Sequence, residues 1–451
     1  MCTRLGAREK AEGGKTSATP PLAHRPTTPP GNFELLLTTA RKAFLKPSAS
    51  VIARYPHRRL QSSSMAPTKD FRLLCLENPL LGKINFVTDS IGAIHARFPH
   101  SQSPLISGVF TAQYEQPLVL YIQAVGNQEL LDKYELKEND AILAEEKHLG
   151  LYEDLLNNYD AKLIAGGAAQ NTARGAQYIL PPNSVVYLGG VGDDKYAAIL
   201  HDAVKQAGLR VEYRVDPEKP TGRCGVVITG HHRSMCTDLG AANHYDLEHL
   251  KKPEVWSLVE NAEAYYVGGY HFTVCPPAIM ELCKQAASGN KPLILSLSAP
   301  FIPQFFKNPL DASAPYWDYV IGNEQEAEAY AQSHDLGTTD LKEIAKALAN
   351  LPKVNKQRKR VAIVTHGTEP TLVAVQGEDE VKEYPVHNVL KEEINDTNGA
   401  GDAFAGGFCA GLMEGRPLAE CVDMGQWLAG LSIRELGPSY PFPKQTYKST
   451  L

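Results

Sequence analysis

Along most of the chain, short runs of apolar residues alternate with longer stretches in which apolar positions recur every three or four residues. Unbroken apolar runs are typical of strands buried on both faces, and the longer spacing is typical of helices with one buried face. The clearest predicted strands span residues 264–268, 292–297, 318–321 and 360–365, and the clearest helices span 276–288, 324–334 and 340–351. This alternation predicts a parallel sheet covered by helices on both faces, with ligand at the carboxyl ends of its strands.

Shorter elements surround this core pattern. Phe71–Leu81 has the composition of a buried strand that ends in a turn, and a strand at about 141–144 stands between predicted helices at about 127–134 and 145–158. Residues 220–242 are dominated by short strands that turn back through Gly230-His231-His232 as a hairpin. Such hairpins are antiparallel and therefore differ from the parallel units of the main sheet.

The first 64 residues differ from the rest in composition and charge. They are rich in Pro, Ser, Thr and Arg, and they hold 11 Lys+Arg against 3 Asp+Glu. Of the totals of 45 and 51, the other 387 residues therefore hold 34 Lys+Arg against 48 Asp+Glu. We expect residues 1–64 to be a disordered basic extension, with Met65 as the working start, and an acid-poor mitochondrial presequence is the alternative. The acidic remainder argues against nucleic acid as a partner.

The bulk composition narrows the class of protein. With 43% hydrophobic and 21% charged residues, the chain can bury a large core, and no stretch of about 20 apolar residues predicts a membrane span. The eight cysteines include no Cys-x-x-Cys pair, so neither a disulfide framework nor a zinc site is indicated. We expect a cytoplasmic protein, with the nucleus as a second compartment and the mitochondrion only if the extension is a presequence.

The candidate chemistry centres on Asp396-Thr397-Asn398-Gly399-Ala400-Gly401-Asp402, which precedes a predicted helix. Small residues let backbone N–H groups approach an anion, and the positive end of a helix dipole favours phosphate there. A carboxylate at Asp402, beside a bound phosphoryl group, would be placed to accept a proton from an attacking hydroxyl. Alone, a glycine-rich turn before a helix is common, so this stretch by itself leaves a plain turn open.

Four weaker motifs precede it along the chain. They are Gly166-Gly167-Ala168-Ala169-Gln170-Asn171 at a helix start, Gly190-Val191-Gly192-Asp193 after a strand, Asn323-Glu324-Gln325-Glu326 after another, and Thr365-His366-Gly367 at the end of a third. The spacing of Asn323 and Glu326 places both side chains on one helical face, where a carboxylate can organise water around Mg²⁺. Read alone, each motif also fits a structural role, the last two as a helix cap and a turn.

The five motifs in this order resemble those of the ribokinase-like family of carbohydrate and nucleoside kinases. Over nearly all of residues 69–450 apart from 82–121, the chain is similar to the fungal members of the branch that phosphorylates adenosine. The strings that carry the resemblance include Glu77-Asn78-Pro79-Leu80-Leu81, Pro220-Thr221-Gly222 and Leu297-Ser298-Ala299-Pro300-Phe301. The resemblance implies a three-layer α/β/α domain over residues 65–451, with a small β-sheet lid from about 73–81, 122–144 and 220–242.

The resemblance also implies an activity, namely ATP-dependent phosphorylation of the adenosine 5′-hydroxyl to give AMP, a purine-salvage reaction. Asp402 would be the general base, the Gly399, Ala400 and Gly401 amides would form the anion hole, and Glu326 would hold Mg²⁺ through water. The other implied ATP-site residues are Thr397, Asn323, Thr365 and Gly367. The implied substrate-site residues are Asn78, Leu143, Gly167, Ala168, Asn171, Arg233, Met235, Leu239, Tyr270 and His271, the last two offering flat faces to a purine.

The chain departs from that family directly after Leu81. Relatives continue with an aspartate that grips both ribose hydroxyls, whereas here Gly82-Lys83 follow, and similarity resumes at Ile122 with Tyr121 beside the lost position. We interpret residues 82–121 as an irregular insertion. It is either translated non-coding sequence or a genuine loop that impairs the ribose-binding site. Losing such a carboxylate would cost about 2–5 kcal/mol of ligand affinity.

Two other functions stay open at this point. One is a related sugar or nucleoside kinase, and the other is a nucleoside-binding protein whose turnover is impaired by the insertion. For the function that the resemblance implies, we expect adenosine and Mg-ATP as ligands, no nucleic-acid or membrane partner, and a monomer.

Overall fold

The computed structural model describes residues 71–76, 120–138, 141–230 and 232–451, all within one compact unit of residues 64–451. Its strands are β1 (Leu73–Leu76), β2 (Leu120–Val125), β3 (Ala141–Leu143), β4 (Lys162–Ala165), β5 (Val185–Gly192), β6 (Arg210–Asp216), β7 (Arg223–Thr229), β8 (His232–Asp238), β9 (Ala264–Gly268), β10 (Leu293–Ser296), β11 (Tyr319–Asn323), β12 (Val361–His366), β13 (Glu369–Val375) and β14 (Val381–Tyr384).

The α-helices lie between or after these strands. They are α1 (Gln128–Lys133), α2 (Leu151–Asn158), α3 (Ala168–Ile179), α4 (Lys195–Gln206), α5 (Leu247–Lys251), α6 (Pro253–Asn261), α7 (Pro276–Gly289), α8 (Phe301–Phe305), α9 (Lys307–Ser313), α10 (Glu324–Ser333), α11 (Leu341–Ala349), α12 (Ala400–Met413) and α13 (Leu418–Ser432). Among the described residues, no helix is long and apolar enough to span a bilayer.

The large sheet has the order β14-β13-β12-β11-β10-β9-β1-β5-β6. The seven strands from β12 to β6 are parallel to their neighbours, and the hairpin strands β13 and β14 extend one edge in antiparallel fashion. Side chains of β1 alternate between two buried clusters, Leu73 and Cys75 on one face and Leu74 and Leu76 on the other. The predicted three-layer α/β/α fold is therefore confirmed.

The small sheet has the order β3-β8-β7-β2-β4 and includes the predicted 223–229/232–238 hairpin. The prediction that 73–81 belongs to this sheet is wrong for Leu73–Leu76, which pair with β5 and β9 in the large sheet. Residues 77–81 lie outside the described residues, as does the insertion up to residue 119. The last two residues assigned to the insertion, Leu120 and Tyr121, begin β2 and pair with β4 and β7.

Close packing of α12 against its neighbours fixes the position of the glycine-rich motif. A Cβ at Gly406 would lie 2.7 Å from the carbonyl oxygen of Thr172 in α3, and a Cβ at Gly407 would lie 2.4 Å from the carbonyl oxygen of Met424 in α13. Both distances are shorter than real Cβ contacts, so only glycine permits the approach. The start of α12 is thereby held against α3 and α13.

Candidate active site

The loop before α12 is fixed by a buried aspartate that the sequence analysis did not single out. Asp396 accepts hydrogen bonds from the backbone N–H of Asn398 at 2.9 Å and from that of Gly437 at 3.0 Å. Three residues after Asp396, Gly399 has φ +79°, and a Cβ there would lie 2.6 Å from Cβ of Pro438. Both the backbone conformation and the space require glycine at the position that starts the helix.

Asp402 lies in the first turn of α12 with only 3% of its surface exposed. The Asn171 side-chain amide donates a hydrogen bond of 2.8 Å to its Oδ2. Asn171 belongs to α3, so the contact between α3 and α12 sets the orientation of the carboxylate. An amide donor stabilises the ionised form, which is the form that a general base needs.

A cleft of ≈ 390 Å³ opens beside this helix start. Its walls come from α12, from α13 and from the carboxyl ends of β11 and β12, which is the edge where the sheet pattern predicts ligand. Six of the predicted ATP-site residues line it, namely Asn323, Glu326, Thr365, Gly367, Ala400 and Gly401. Thr397 and Gly399 lie in the loop just before α12 and are not on its wall.

Asn323 and Glu326 form a capping box at the start of α10. The Asn323 side chain accepts from the Glu326 N–H at 2.8 Å, and Glu326 accepts from the Asn323 backbone N–H and side-chain amide, both at 3.0 Å. The structural role that the sequence left open is therefore present. Glu326 is also a cleft residue, and a Cβ at Gly322 would lie 3.1 Å from its Oε2, so a larger residue there would crowd the carboxylate.

Three of the predicted nucleoside-binding residues lie at the start of α3. Gly167 has φ +100°, and Ala168 and Asn171 follow on the first turn with almost no exposed surface. The side-chain carbonyl of Asn171 accepts no hydrogen bond from any residue that the structure describes. The amide that orients Asp402 thus keeps an unpaired acceptor, as a residue facing a polar ligand would.

The other predicted substrate residues are spread over the small sheet and its surroundings. Leu143 pairs with Thr237 between β3 and β8, Met235 lies on β8, and Leu239 is buried just after it. The backbone of Arg233 pairs with Ile228, but its side chain and the whole of Asn78 lie outside the described part of the chain. These assignments stay predictions.

Tyr270 and His271 do not present open faces. The Tyr270 ring lies 5.9 Å from that of Phe301, and the His271 ring lies 5.4 Å from that of Tyr245, with His271 fully buried. Burial lowers the pKa of His271 to about 3. Both rings are covered by other side chains in this structure, and their assignment to the nucleoside site stays a prediction.

Sequence reasoning also missed a polar group at the far end of the cleft. His387 and Gln426 line it, and His387 Nε2 lies 2.6 Å from Oδ1 of Asp423. No local pattern marks these residues, because His387 lies in the irregular stretch after β14 and its partner lies 36 positions away on α13. In the described part of the chain, no three His, Cys, Asp or Glu side chains are grouped to hold a metal directly.

Comparison with known proteins gives one family. The profile described as pfkB family carbohydrate kinase matches residues 128–445. The adenosine kinase of Schizosaccharomyces pombe is 48% identical over 335 residues, which cover 74% of this chain and 96% of that protein. The adenosine kinase of Saccharomyces cerevisiae is also 48% identical over 335 residues, covering 73% of this chain and 96% of the relative.

Solved structures agree with these sequence matches. Anopheles gambiae adenosine kinase in complex with P1,P4-di(adenosine-5) tetraphosphate is 43% identical, with a TM-score of 0.66 and coverage of 72% of this chain and 97% of that one. Schistosoma mansoni adenosine kinase in complex with 2-fluoroadenosine is 34% identical, with a TM-score of 0.67 and coverage of 72% and 95%. The likeness therefore extends over nearly the whole of each relative.

Proposed function

The chain belongs to the pfkB family of carbohydrate kinases, among its adenosine kinases, and from this premise we propose how its residues catalyse the reaction. The reaction is transfer of the γ-phosphoryl group of ATP to adenosine, giving AMP and ADP. The observation that carries the proposal is the Asp402 carboxylate, which Asn171 holds in the first turn of α12. Asp402 itself is buried and does not line the cleft, but the preceding residue, Gly401, does.

In the proposed mechanism, Asp402 accepts the proton of the adenosine 5′-hydroxyl as the hydroxyl oxygen attacks the γ-phosphorus. The bond between the γ-phosphorus and the bridging oxygen of ADP breaks in the same displacement. Asn171 orients the carboxylate through its hydrogen bond to Oδ2. A positioned general base of this kind contributes about 10²–10⁴-fold to the rate.

The charge on the transferring group is proposed to be stabilised by the backbone amides of Gly399, Ala400 and Gly401. Gly399 caps α12, and Ala400 and Gly401 begin it, where N–H groups have no partner within the helix. In this structure the Ala400 N–H donates to the Thr397 carbonyl at 3.3 Å, a bond that the phosphoryl group would replace. The helix dipole adds a partial positive charge at the same end. Because the loop is fixed by Asp396 and Gly399, these donors need little rearrangement during the reaction.

Glu326 is proposed to hold Mg²⁺ through water, with Asn323 fixing its carboxylate. The fit rests on a buried carboxylate at the cleft, because Mg²⁺ prefers oxygen ligands and retains much of its water shell. When bound with ATP, the ion neutralises charge on the phosphates. The capping box then has two functions, since it starts α10 and orients the carboxylate.

The test of the proposed mechanism is Asp402→Asn, which keeps the shape and removes the base. We expect kcat for AMP formation from adenosine and Mg-ATP to fall about 10²–10⁴-fold, with adenosine binding retained. Asp379→Asn in an exposed loop is the matched control and should leave kcat unchanged. An Asp402→Asn enzyme with near-normal kcat would exclude Asp402 as the base, whatever the reaction.

A substrate panel separates the related kinases. Adenosine should give the highest kcat/KM among nucleosides and sugars tested with ATP, and preference for ribose would contradict the assignment. Replacing residues 82–121 by a single aspartate is proposed to lower the adenosine KM, since the carboxylate that grips the ribose would return. Equal adenosine KM values for the two proteins would remove that idea.

A further inference from the structure

The polar group at the far end of the cleft is held by the last residues of the chain. Asp423 on α13 is buried, with 3% of its surface exposed. It accepts hydrogen bonds from the Tyr447 hydroxyl, from the Thr450 hydroxyl at 2.5 Å and from the Thr450 backbone N–H at 3.1 Å, in addition to the contact with His387. Burial opposes ionisation, but the hydrogen bonds from Thr450, Tyr447 and His387 outweigh it and lower the pKa of this carboxyl.

The C-terminal segment reaches Asp423 after crossing α3. Pro441 accepts a hydrogen bond of 3.0 Å from the Tyr178 hydroxyl, and the Lys444 ammonium donates to the Gln177 carbonyl at 3.1 Å. The Tyr447 ring then packs edge-on against Trp427 with ring centres 5.6 Å apart. The donors that hold Asp423 therefore sit on a segment that is anchored along its length.

His387 lines the cleft and contacts Asp423, so its distance from the phosphate-binding loop follows from the position of Asp423 on α13. The carbonyl of Ile433, at the end of α13, accepts a hydrogen bond of 2.9 Å from Asn395 just before that loop. Asp423 is ten residues earlier on the same helix, which is about 15 Å at 1.5 Å per residue. A nucleoside triphosphate whose γ-phosphate lies at Gly401 would extend its base toward this end.

The walls at that end suit a purine. Val386, Val389, Ala429 and Gly430 line it together with Gln426, so flat apolar surface is combined with few polar groups. The Gln426 amide nitrogen is already used, since it donates to the Thr371 hydroxyl at 3.2 Å and to the Tyr384 carbonyl at 3.1 Å. His387 is then the titratable group among these residues.

We propose that His387 binds the base of the donor nucleotide and sets the preference for ATP, and that Asp423, Tyr447 and Thr450 position it. The inference rests on the proposed function, which places the γ-phosphate at Gly401. Because Nε2 is committed to Asp423, Nδ1 is the ring atom left for the nucleotide. The Asp423 carboxylate fixes the orientation of the His387 ring. Tyr447 and Thr450, in the C-terminal segment, in turn fix the Asp423 carboxylate.

His387→Ala is the direct test. We expect the KM for ATP to rise about tenfold, the loss of one hydrogen bond to a ligand, while kcat and the adenosine KM stay within about twofold. The ratio of kcat/KM for ATP to that for GTP, which has a carbonyl at position 6 of the purine, should fall. An unchanged ATP KM and an unchanged ATP-to-GTP ratio would overturn the proposal.

The positioning role of Thr450 is tested by combining its substitution with His387→Ala in a double-mutant cycle. Thr450→Val should raise the ATP KM in the wild-type background and have no further effect in the His387→Ala background, because its action passes through His387. Thr446→Val, an exposed threonine of the same segment, is the control and should change neither constant. Additive effects of the two substitutions would show that the segment acts only on stability and would refute the positioning role.

The outcomes also separate this inference from the proposed function. If wild-type enzyme forms AMP and His387→Ala has normal nucleotide constants, only the inference fails. If the wild-type protein forms no AMP with any nucleoside triphosphate as donor, the proposed function fails. The contact between His387 and the nucleotide base is then still tested by measuring the affinity of wild type and His387→Ala for ATP.

Discussion

The surroundings of His387 and His271 differ in charge, because His387 contacts a carboxylate and His271 packs beside the ring of Tyr245. His387 lies 2.6 Å from the Asp423 carboxylate and retains 20% side-chain exposure at the cleft. His271 is fully buried against Tyr245, and neither of its ring nitrogens makes a hydrogen bond to any described residue. Burial without a hydrogen-bond partner favours the neutral form of the His271 ring and lowers its pKa. The same residue type is therefore paired with a carboxylate at the cleft in one region and kept neutral by burial in the other.

The largest expected effect of this difference is loss of stability in acid. Burial lowers the pKa of His271 to about 3, and burial together with the charge of Lys252 lowers the pKa of His249 to about 4. The unfolded chain takes up these protons below about pH 6.5, whereas the native state does not until the lower values are reached. Stability should therefore fall between pH 6.5 and 4, by about 3 kcal/mol for each histidine.

Urea unfolding at pH 7, 5.5 and 4 measures this loss. Carboxylates also contribute to the loss of stability in acid. The contribution of a buried histidine is therefore isolated by comparing wild type with a variant in which that histidine is replaced. A free energy of unfolding that stays constant between pH 6.5 and 4.5, where histidines titrate and most carboxylates do not, would contradict the prediction.

The next effect is expected from His271→Phe, which replaces the neutral imidazole by an apolar ring that can keep the edge-on contact with Tyr245. At pH 7 the free energy of unfolding should change by less than about 1 kcal/mol, because no hydrogen bond to a described residue is lost. At pH 4 the variant should be more stable than wild type by about 3 kcal/mol. His201→Gln on an exposed face of α4 is the control.

Two results would break the comparison between the histidines. If His271→Phe unfolds in acid as wild type does, the native ring is protonated or hydrated and is not kept neutral by burial. If His201→Gln shows the same rescue, the effect is not specific to the buried ring.

The sequence predicted the large sheet well, because its central strands are unbroken apolar runs such as Leu293–Ser296. It missed β4 and β6, the edge strands of the small and large sheets, whose charged residues reflect exposure on the open side. Similarly, Asn323 and Glu326 were found because they are three residues apart on one helix. The pairing of His387 with Asp423 depends on how α13 packs, so no local spacing could indicate it.

A smaller effect is expected from Asp423→Asn. The amide cannot accept all of the hydrogen bonds that the carboxylate receives from His387, Tyr447 and Thr450, and it removes the charge. We expect a loss of about 2 kcal/mol in the free energy of unfolding and faster proteolysis after residue 444. The loss should shrink at low pH, since protonation of the wild-type carboxyl removes the same charge. Undiminished destabilisation at pH 3 would instead indicate a steric defect.

The smallest effects come from a matched pair of tyrosine substitutions, one in each region. Tyr447→Phe removes a hydroxyl that donates to Asp423 and should cost about 1 kcal/mol, whereas Tyr245→Phe removes a buried hydroxyl with no partner among the described residues and should be neutral or slightly stabilising. Both substitutions keep the ring, so packing is unchanged and the difference reports the hydrogen bond alone. Thermal unfolding at pH 7 measures both, and an equal loss in the two variants would show that the Tyr245 hydroxyl is paired in solution.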